Sequence, residues 1–573
     1  MERSRPRDRT ASLRPLLLAV VASLPSLSPG ICIGYSAIAV PQIQAYDSLW
    51  LNSEQISWFT SIFAISAPFG CLISWPLLDL TGRKTTLLLI NLPNLVGWLL
   101  IATVCRSSSP VPQLYAGRAL TGISIGMSSI PTTIYLMEVI SPHSPYLRGL
   151  IGTWSSIFLS IGVCIVYVLG AIFDWVTIAY IALLFPIVSC CAVAFHLPES
   201  PEWLLSKGRL GDSEWALKKL RLTPTSRPPG ITDIHESCKL ILSRDQDCST
   251  CTEKTIGHTS TYVRLPWKAN FLDFLKPETY KPLVILNTFF FFQQFTGVYI
   301  VIAYLVNIVE GLHINILDPY SVTMLCGIIQ LVTSVTVSLL LPKLGLRLIC
   351  LSSGTCMAAS MLLLALYLPT VQYNGLPVRF NLLPFITFLF FNFAAAAGFL
   401  TLPWFLVGEI FLPSVKCAAG GISTCVAYIL CFLALKYFPY FTGDFEEDWA
   451  GVCFYFSAMS AVATLCGFAR SGMALKDISH WMTGLVALVS FSIISHLSLG
   501  SWYSRVTIGV KPSYRVVFVS SLLGEITDYM RKALMGKKDP AKVQIRIRSI
   551  RPAGAKLIVE TDSDEDAKNI IEN

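Results

Sequence analysis

The sequence predicts an all-α membrane protein with twelve transmembrane helices in two six-helix halves. Of its 573 residues, 53% are hydrophobic and only 14% are charged, whereas soluble domains carry about 25% charged residues. Apolar segments of about twenty residues, the length needed to cross the hydrocarbon core of a bilayer, recur along the chain. A long polar segment separates the first six apolar segments from the next six.

Each apolar segment is a predicted span, numbered in chain order. The twelve spans are 14–40, 53–78, 85–105, 113–138, 149–171, 175–196, 282–309, 318–341, 346–368, 382–411, 417–439 and 451–468. They define an N-terminal half (1–198), a cytoplasmic interdomain loop (199–277), a C-terminal half (278–468) and an extension (469–573). The loop is rich in Pro, Ser and charged residues and predicts at most short amphipathic helices, such as one at 212–221.

Basic residues concentrate on one side of the predicted membrane. They precede the first span and follow the second, fourth, eighth and tenth: Arg3, Arg5, Arg7, Arg9, Arg14, Arg83, Lys84, Arg148, Lys343, Arg347 and Lys416. The opposite loops are mostly acidic, so the positive-inside rule places the N terminus in the cytoplasm. The first apolar stretch is too long for a cleavable signal. We therefore expect a multi-pass protein of the plasma membrane, surrounded by lipid, with no nucleic-acid partner for its core.

Two neighbouring carboxamides, Gln293 and Gln294, interrupt the apolar seventh span. An unpartnered polar group at membrane depth costs several kcal/mol. Such groups therefore contact another helix or face a wet cavity that holds a polyhydroxy ligand. Gly297 lies one turn after Gln293 on the same helix face, so this face can be approached closely. Both interpretations, bonding between helices and ligand binding, remain open from these residues alone.

The two halves contain matching short motifs. Asp79-Leu80-Thr81-Gly82-Arg83-Lys84 follows the second span, and Lys343-Leu344-Gly345-Leu346-Arg347 follows the eighth. The fourth span ends in Glu138 ten residues before Arg148, and the tenth carries Glu409 seven residues before Lys416. Parallel halves with a site between them at the midplane are typical of proteins that work by alternating access.

These motifs resemble those of the sugar porters of the major facilitator superfamily, in order and spacing, over residues 10–468. The resemblance includes Asp79 to Lys84, Gly117-Arg118 with Gly122 and Gly126, Glu138 before Arg148, Pro198-Glu199-Ser200-Pro201, Gln293-Gln294 with Gly297, and Pro403-Trp404 before Gly408-Glu409-Ile410. The motif sequences are similar to those of the insect facilitated trehalose and hexose transporter group. It implies the major facilitator fold and transport of a sugar substrate, such as a hexose or trehalose, without a cofactor.

The resemblance assigns charged residues at the helix ends to a gating latch. The first-half latch comprises Asp79, Gly82, Arg83, Lys84, Glu138 and Arg148, with Arg118 beside it in the fourth span; the second-half counterpart comprises Arg347, Glu409 and Lys416. The family's acidic residue is Pro342 in the second half, and one of its arginines is Leu346. Simple anchoring at the interface, worth about 0–1 kcal/mol per exposed pair, is the alternative.

Arg118 also bears on energy coupling. In proton-coupled sugar porters this arginine faces an acid in the first span, and Ser36 occupies that position here. Serine does not titrate in the physiological range, so the resemblance implies facilitated diffusion rather than proton coupling.

The implied substrate-binding residues are Gln293, Gln294, Gln330, Trp404, Tyr299 and Ser156. Tyr299 and Ser156 replace the family's asparagine and glutamine, and Ala427-Tyr428 replaces an asparagine-tryptophan pair. A pocket built to bond hydroxyls discriminates strongly, so hexose specificity does not carry over. The lost amides motivate an alternative function, a sugar sensor or inactive homologue that binds without transporting. No nucleophile–base set or phosphate loop points to an enzyme, and Cys248, Cys251 and His258 are too few to predict a metal site.

The extension after 468 departs from the family. Its apolar segment 481–503 is either a thirteenth span or a re-entrant or interfacial segment. Alternation at 542–548, a turn at 552–554 and a second run at 556–560 predict a strand–turn–strand unit before an acidic helix at 562–573. This tail resembles a gag-like fragment of a retroelement, which implies a fused gene segment.

Overall fold

A computed structural model describes residues 17–45, 51–140, 150–220, 274, 276–312, 314, 316–374, 382–411, 415–441, 449–469, 547–553 and 556–561. Arg148, the Cys248–His258 region, the apolar segment 481–503 and the acidic helix predicted at 562–573 lie outside these residues. The chain forms two compact units, Met1–Gly472 and Met473–Asn573.

The first unit is built of membrane-length helices, as the sequence predicts. Within the described residues, nine helices are long and apolar enough to cross a membrane: Leu17–Ala45, Ser53–Thr81, Arg83–Ala102, Trp175–His196, Pro319–Leu344, Leu346–Leu368, Leu382–Glu409, Lys416–Tyr440 and Trp449–Cys466. They coincide with predicted spans one to three, six, and eight to twelve.

The remaining three predicted spans contain shorter helices. The fourth span consists of Pro110–Ser128 and Pro131–Ile140, the fifth of Trp154–Gly170, and the seventh of Pro277–Phe295, Val298–Ala303 and Leu305–Gly311. Two short helices, Pro201–Ser206 and Leu210–Leu220, follow the sixth span. The second of them accounts for most of the amphipathic helix predicted at 212–221.

The break in the seventh span has a specific cause at Gly297. Its φ of 89° is left-handed, a conformation that glycine adopts readily and other residues rarely. A Cβ atom at this position would lie 2.8 Å from the ring of Phe456. Sequence periodicity treats 282–309 as continuous because it contains no information about this contact from the twelfth span.

Helix packing repeats with a shift of six spans. The second span packs on the fourth and eleventh, and the eighth packs on the tenth and fifth. The first packs on the fifth as the seventh packs on the eleventh, and the third contacts the fourth and sixth as the ninth contacts the tenth and twelfth. The second–eleventh and fifth–eighth pairs therefore form two seams between the first six spans and the last six, and the first span also contacts the seventh.

The second unit contains an antiparallel hairpin of β1 (Ile547–Ala553) and β2 (Lys556–Thr561). A hairpin at this point follows the prediction, and residues 542–546 of the predicted 542–548 run lie outside the described residues. Pro552, predicted in the turn, pairs with Leu557 inside the ladder. A two-stranded sheet has only edge strands, where proline is tolerated because it need not donate a ladder hydrogen bond.

Candidate functional site

One end of the bundle carries a buried ion pair, and we call this end the latch end. The Arg83 guanidinium donates to Glu138 through Nη2 at 2.7 Å and through Nε at 3.0 and 3.1 Å. Both side chains are largely buried, with 10% and 13% of their surfaces exposed. Asp79 Oδ1 lies 3.9 Å from Arg83 Nη1 across the turn at Gly82. The structure thus brings together three of the predicted first-half latch residues.

Glu199 is a further member of this cluster. Its Oε1 accepts backbone N–H groups of Arg83, Lys84 and Ser200 at 2.8, 3.0 and 2.9 Å. Gly82, at a φ of 98°, allows this approach, since a Cβ there would lie 2.5 Å from the Glu199 carboxylate. Glu199 belongs to the Pro198–Pro201 motif, but the sequence prediction assigned it no role. The signal that could have identified Glu199 is a carboxylate directly after an apolar span in a chain with few acidic residues.

Ser200 and Glu202 extend the cluster toward the second half. The Ser200 hydroxyl donates to Glu138 at 2.5 Å. Burial, together with the charge of Glu138, raises the pKa of Glu202 to about 7, while Arg83 and Lys416 oppose that shift. Lys416, predicted for the second-half counterpart, therefore lies within electrostatic range of the first-half latch.

The other predicted residues of the second-half counterpart are Arg347 and Glu409. Arg347 is exposed, and no ion pair joins it to an acidic residue in the part of the chain that the structure describes. Glu409 is half-buried at the end of the tenth span.

The predicted carboxamide pair lies at a point where two broken helices meet. Gln293 Nε2 donates to the carbonyl oxygens of Phe399 and Leu400 at 2.6 and 3.4 Å. Those carbonyls belong to the interruption between Leu382–Ala397 and Leu402–Glu409 in the tenth span. Gln294 Nε2 donates to Gln293 Oε1 at 3.4 Å, and Gln294 Oε1 is buried without a hydrogen-bond partner in the described residues. An acceptor left unpaired at membrane depth is costly, so Gln294 Oε1 is available to a ligand hydroxyl.

Aromatic side chains surround the same region. Trp404 Nε1 donates to the Tyr299 hydroxyl at 2.9 Å. The Trp404 ring lies 5.2 Å from that of Phe290 and 5.5 Å from that of Tyr428. The Tyr428 hydroxyl is 2.8 Å from Ser129 Oγ in the fourth span. Two of the predicted departures from the family therefore contact Trp404: Tyr299 through a hydrogen bond and Tyr428 through its ring.

Gln330 lies in the seam between the fifth and eighth spans. Its Nε2 donates to Ser160 Oγ at 3.5 Å, and Ser160 in turn contacts Ser334 Oγ at 2.9 Å. Ser156 is buried one turn before Ser160 on the same helix. No hydrogen bond between described residues joins Gln330 to Gln293 or Gln294, so the predicted binding residues form two groups.

Arg118 is fully buried and contacts the first span, as expected. Its Nη2 donates to Ser36 Oγ at 2.6 Å and its Nη1 to the Cys32 carbonyl at 2.8 Å. The guanidinium carbon lies about 5 Å from the ring centres of Phe59 and Phe63, within cation–π range. In the described residues no carboxylate forms an ion pair with Arg118.

Both seams are closed along their length in the described residues. The second and eleventh spans meet through Ser57 Oγ and the Lys436 carbonyl at 2.6 Å, and through Pro68 O and Cys425 Sγ at 3.6 Å. Lys436 Nζ also lies 4.3 Å from the Trp58 ring centre at the end opposite the latch. The fifth and eighth spans meet through Thr153 Oγ1 and Ser338 Oγ at 2.7 Å. The described residues therefore make contacts between the halves at both ends of the bundle.

Comparison with known proteins agrees with this architecture. Residues 18–470 match the family model described as sugar (and other) transporter. The facilitated trehalose transporter Tret1 of Culex quinquefasciatus is 27% identical over 481 residues, covering 83% of this chain and 87% of that protein. That of Aedes aegypti is also 27% identical, but the chain spans only 56% of its length.

Solved structures show the same fold. The proton:xylose symporter XylE bound to 6-bromo-6-deoxy-D-glucose has a TM-score of 0.62 at 18% identity, covering 79% of this chain and 95% of that chain. A partially occluded inward-open form of the xylose transporter XylE from E. coli gives 0.61 at 17% identity, with 80% and 100% coverage.

Proposed function

This chain belongs to the sugar transporter family, and from that premise we propose that it is a facilitative uniporter that moves a sugar by alternating access. It is a multi-pass membrane transport protein rather than an enzyme. The proposal concerns the coupling mode, the substrate and the working cycle.

The contact between Arg118 and Ser36 carries the uniport proposal. A transporter driven by protons needs a group that binds and releases a proton during the cycle, and a buried carboxylate is suited to this role. At this position the guanidinium meets a hydroxyl at 2.6 Å, which does not titrate at physiological pH. Carbonyl oxygens and aromatic rings stabilise the buried charge instead. Arg118 therefore serves to hold the first, second and fourth spans together.

The latch and the seams support the alternating-access cycle. The halves meet near the latch end through Thr153 and Ser338, beside the Arg83–Glu138 pair of the first half, and at the other end through Lys436 and Trp58. Breaking one set of contacts while the other persists would open the midplane to one side at a time. We place the latch end in the cytoplasm, and the protein in the plasma membrane, on the positive-inside pattern of the sequence.

The substrate proposal is a hexose or a disaccharide such as trehalose. Gln293, Gln294 and Gln330 supply amide groups for hydroxyls, and the face of Trp404 suits the C–H surface of a pyranose. The curated relatives are named as facilitated trehalose transporters, which favours trehalose among the sugars to be tested first.

Counterflow in proteoliposomes tests the proposal. Vesicles loaded with unlabelled trehalose or glucose should accumulate the labelled sugar transiently, because a uniporter exchanges substrate without an external energy source. Binding of the sugar with no counterflow would instead support the alternative, a sensor or inactive homologue. If no member of a panel of hexoses, disaccharides and polyols showed either binding or counterflow, sugar as the substrate would be contradicted.

A further inference from the structure

A polar cavity lies at the latch end, apart from the carboxamide pair. It has a volume of about 280 Å³ and lies between the turn after the second span, the end of the sixth span and the two short helices that follow. Its walls include two indoles and several charged groups: Lys84, Glu199, Trp203, Arg209, Asp212 and Trp215. The proposed transport cycle assigns no ligand to this cavity.

The acidic groups of the cavity are already compensated. Glu199 Oε1 accepts three backbone N–H groups. Asp212 accepts from Arg209 at 2.7 Å. Neither carboxylate is therefore well placed to attract a cation or a further donor, and the basic side chains determine which ligand the cavity favours.

Two ammonium groups lie at this cavity: Lys84 is one of its walls, and Lys219 contacts the ring of its wall residue Trp215. Lys84 Nζ uses one of its three donors on the Ala194 carbonyl at 2.9 Å. Burial lowers the pKa of Lys84, and the nearby charge of Lys219 lowers it further, against the opposing effect of Glu199. Lys219 Nζ also lies 5.0 Å from the centre of the Trp215 ring, a wall of the cavity. The local field is therefore positive, and an anion would relieve the repulsion.

The surroundings indicate where the anion comes from. Leu80 and Phe195, adjacent in sequence to wall residue Thr81 and to the acceptor Ala194, are 69% and 78% exposed. Large apolar side chains exposed at the end of a span contact lipid tails. Trp and Lys at such a position are typical of the headgroup level of a membrane, and basic residues there attract anionic lipids.

We propose that this cavity binds the phosphate of an anionic phospholipid headgroup from the leaflet at the latch end. Lys84 and Lys219 donate to the phosphate oxygens, and Trp215 packs against the headgroup. The same Lys84 whose side chain holds the phosphate also donates its backbone N–H to Glu199. Occupancy therefore stabilises the helix Leu210–Leu220 against the membrane and favours the closed latch.

Lipid binding by the full-length protein tests the proposal independently of transport. Native mass spectrometry of the purified chain should show retention of phosphatidylserine in preference to phosphatidylcholine. Lys219→Gln should weaken this retention about fivefold, because one basic residue near an anionic lipid is worth ~1 kcal/mol. Lys219→Arg should preserve it. Lys218→Gln is the matched control, since it removes the same charge one residue away at an exposed position.

Three outcomes would overturn the proposal. Equal retention of the two lipids, which both carry a phosphate, would exclude a site that selects an anionic headgroup. Equal weakening by Lys218→Gln and Lys219→Gln would mean that only the general charge of the helix attracts lipid. Displacement of phosphatidylserine by millimolar inorganic phosphate would identify a free phosphate rather than a lipid headgroup as the ligand. Because the readout is lipid retention, a failure of sugar counterflow would leave this test unaffected.

Discussion

Substitution of Glu138 by glutamine barely changes the size of the side chain, but it should strongly disrupt the latch. Glu138 accepts three short hydrogen bonds from Arg83 and one from Ser200, and only 13% of its side chain is exposed. Removing one partner of a buried ion pair costs ~3–5 kcal/mol, because the other charge stays buried and uncompensated. At 1.4 kcal/mol per tenfold change, the closed latch would lose about two to four orders of magnitude in relative population.

The assay combines thermal unfolding of the purified protein with counterflow of labelled sugar. Glu138→Gln should lower both the unfolding midpoint and the counterflow rate. Asp212→Asn is the control, because the Arg209–Asp212 pair has the same 2.7 Å separation but is 56% exposed on both sides, and exposed pairs contribute at most about 1 kcal/mol. Adding Arg83→Gln to Glu138→Gln should cost less than the sum of the single substitutions. If Glu138→Gln behaved like Asp212→Asn in both measurements, the latch assignment would be refuted.

Three other substitutions or conditions give distinct expectations. Gln294→Ala should raise the KM for sugar uptake about fivefold or more at normal surface level, since a hydrogen bond is worth ~1 kcal/mol; an unchanged KM would remove Gln294 from the binding site. Uptake should be insensitive to a protonophore because Ser36 does not titrate, whereas accumulation that a protonophore abolishes would contradict uniport. Glu202→Gln should stabilise the protein at pH 8 but not near pH 4.5. The pKa of Glu202 is raised from 4.5 to about 7 in the folded chain. Folding therefore favours the protonated carboxyl group. Its contribution to the free energy of unfolding is lost as the pH rises from 4.5 to 7, by at most ~3 kcal/mol. If the unfolding midpoints of Glu202→Gln and the unsubstituted protein differed equally at both pH values, this titration of Glu202 would be excluded.

The fold was predictable because its physical causes are local in the sequence. A bilayer requires apolar segments of nearly constant length, and each of the twelve predicted spans contains helix in the described residues. Gly82 could be placed in a turn from its neighbours Asp79 and Arg83, and the contact between Arg118 and Ser36 follows from the resemblance to sugar porters. Helix interruptions were not predictable in the same way. An apolar run containing one glycine reads as continuous, and only the Phe456 ring from the twelfth span accounts for the break at Gly297.

By itself, the sequence determined the membrane class, the two sets of six spans, the sugar transporter motifs and the residue types available for a site. Only the tertiary structure decided how those residues are joined. Glu199 meets the turn after the second span from more than one hundred residues away, and Trp404 bonds Tyr299 across two broken helices. Periodicity and spacing report the environment of a residue within its own helix, whereas these bonds depend on which helices pack together and at what depth. The site is therefore a property of packing between helices distant in sequence, which no single segment of the chain encodes.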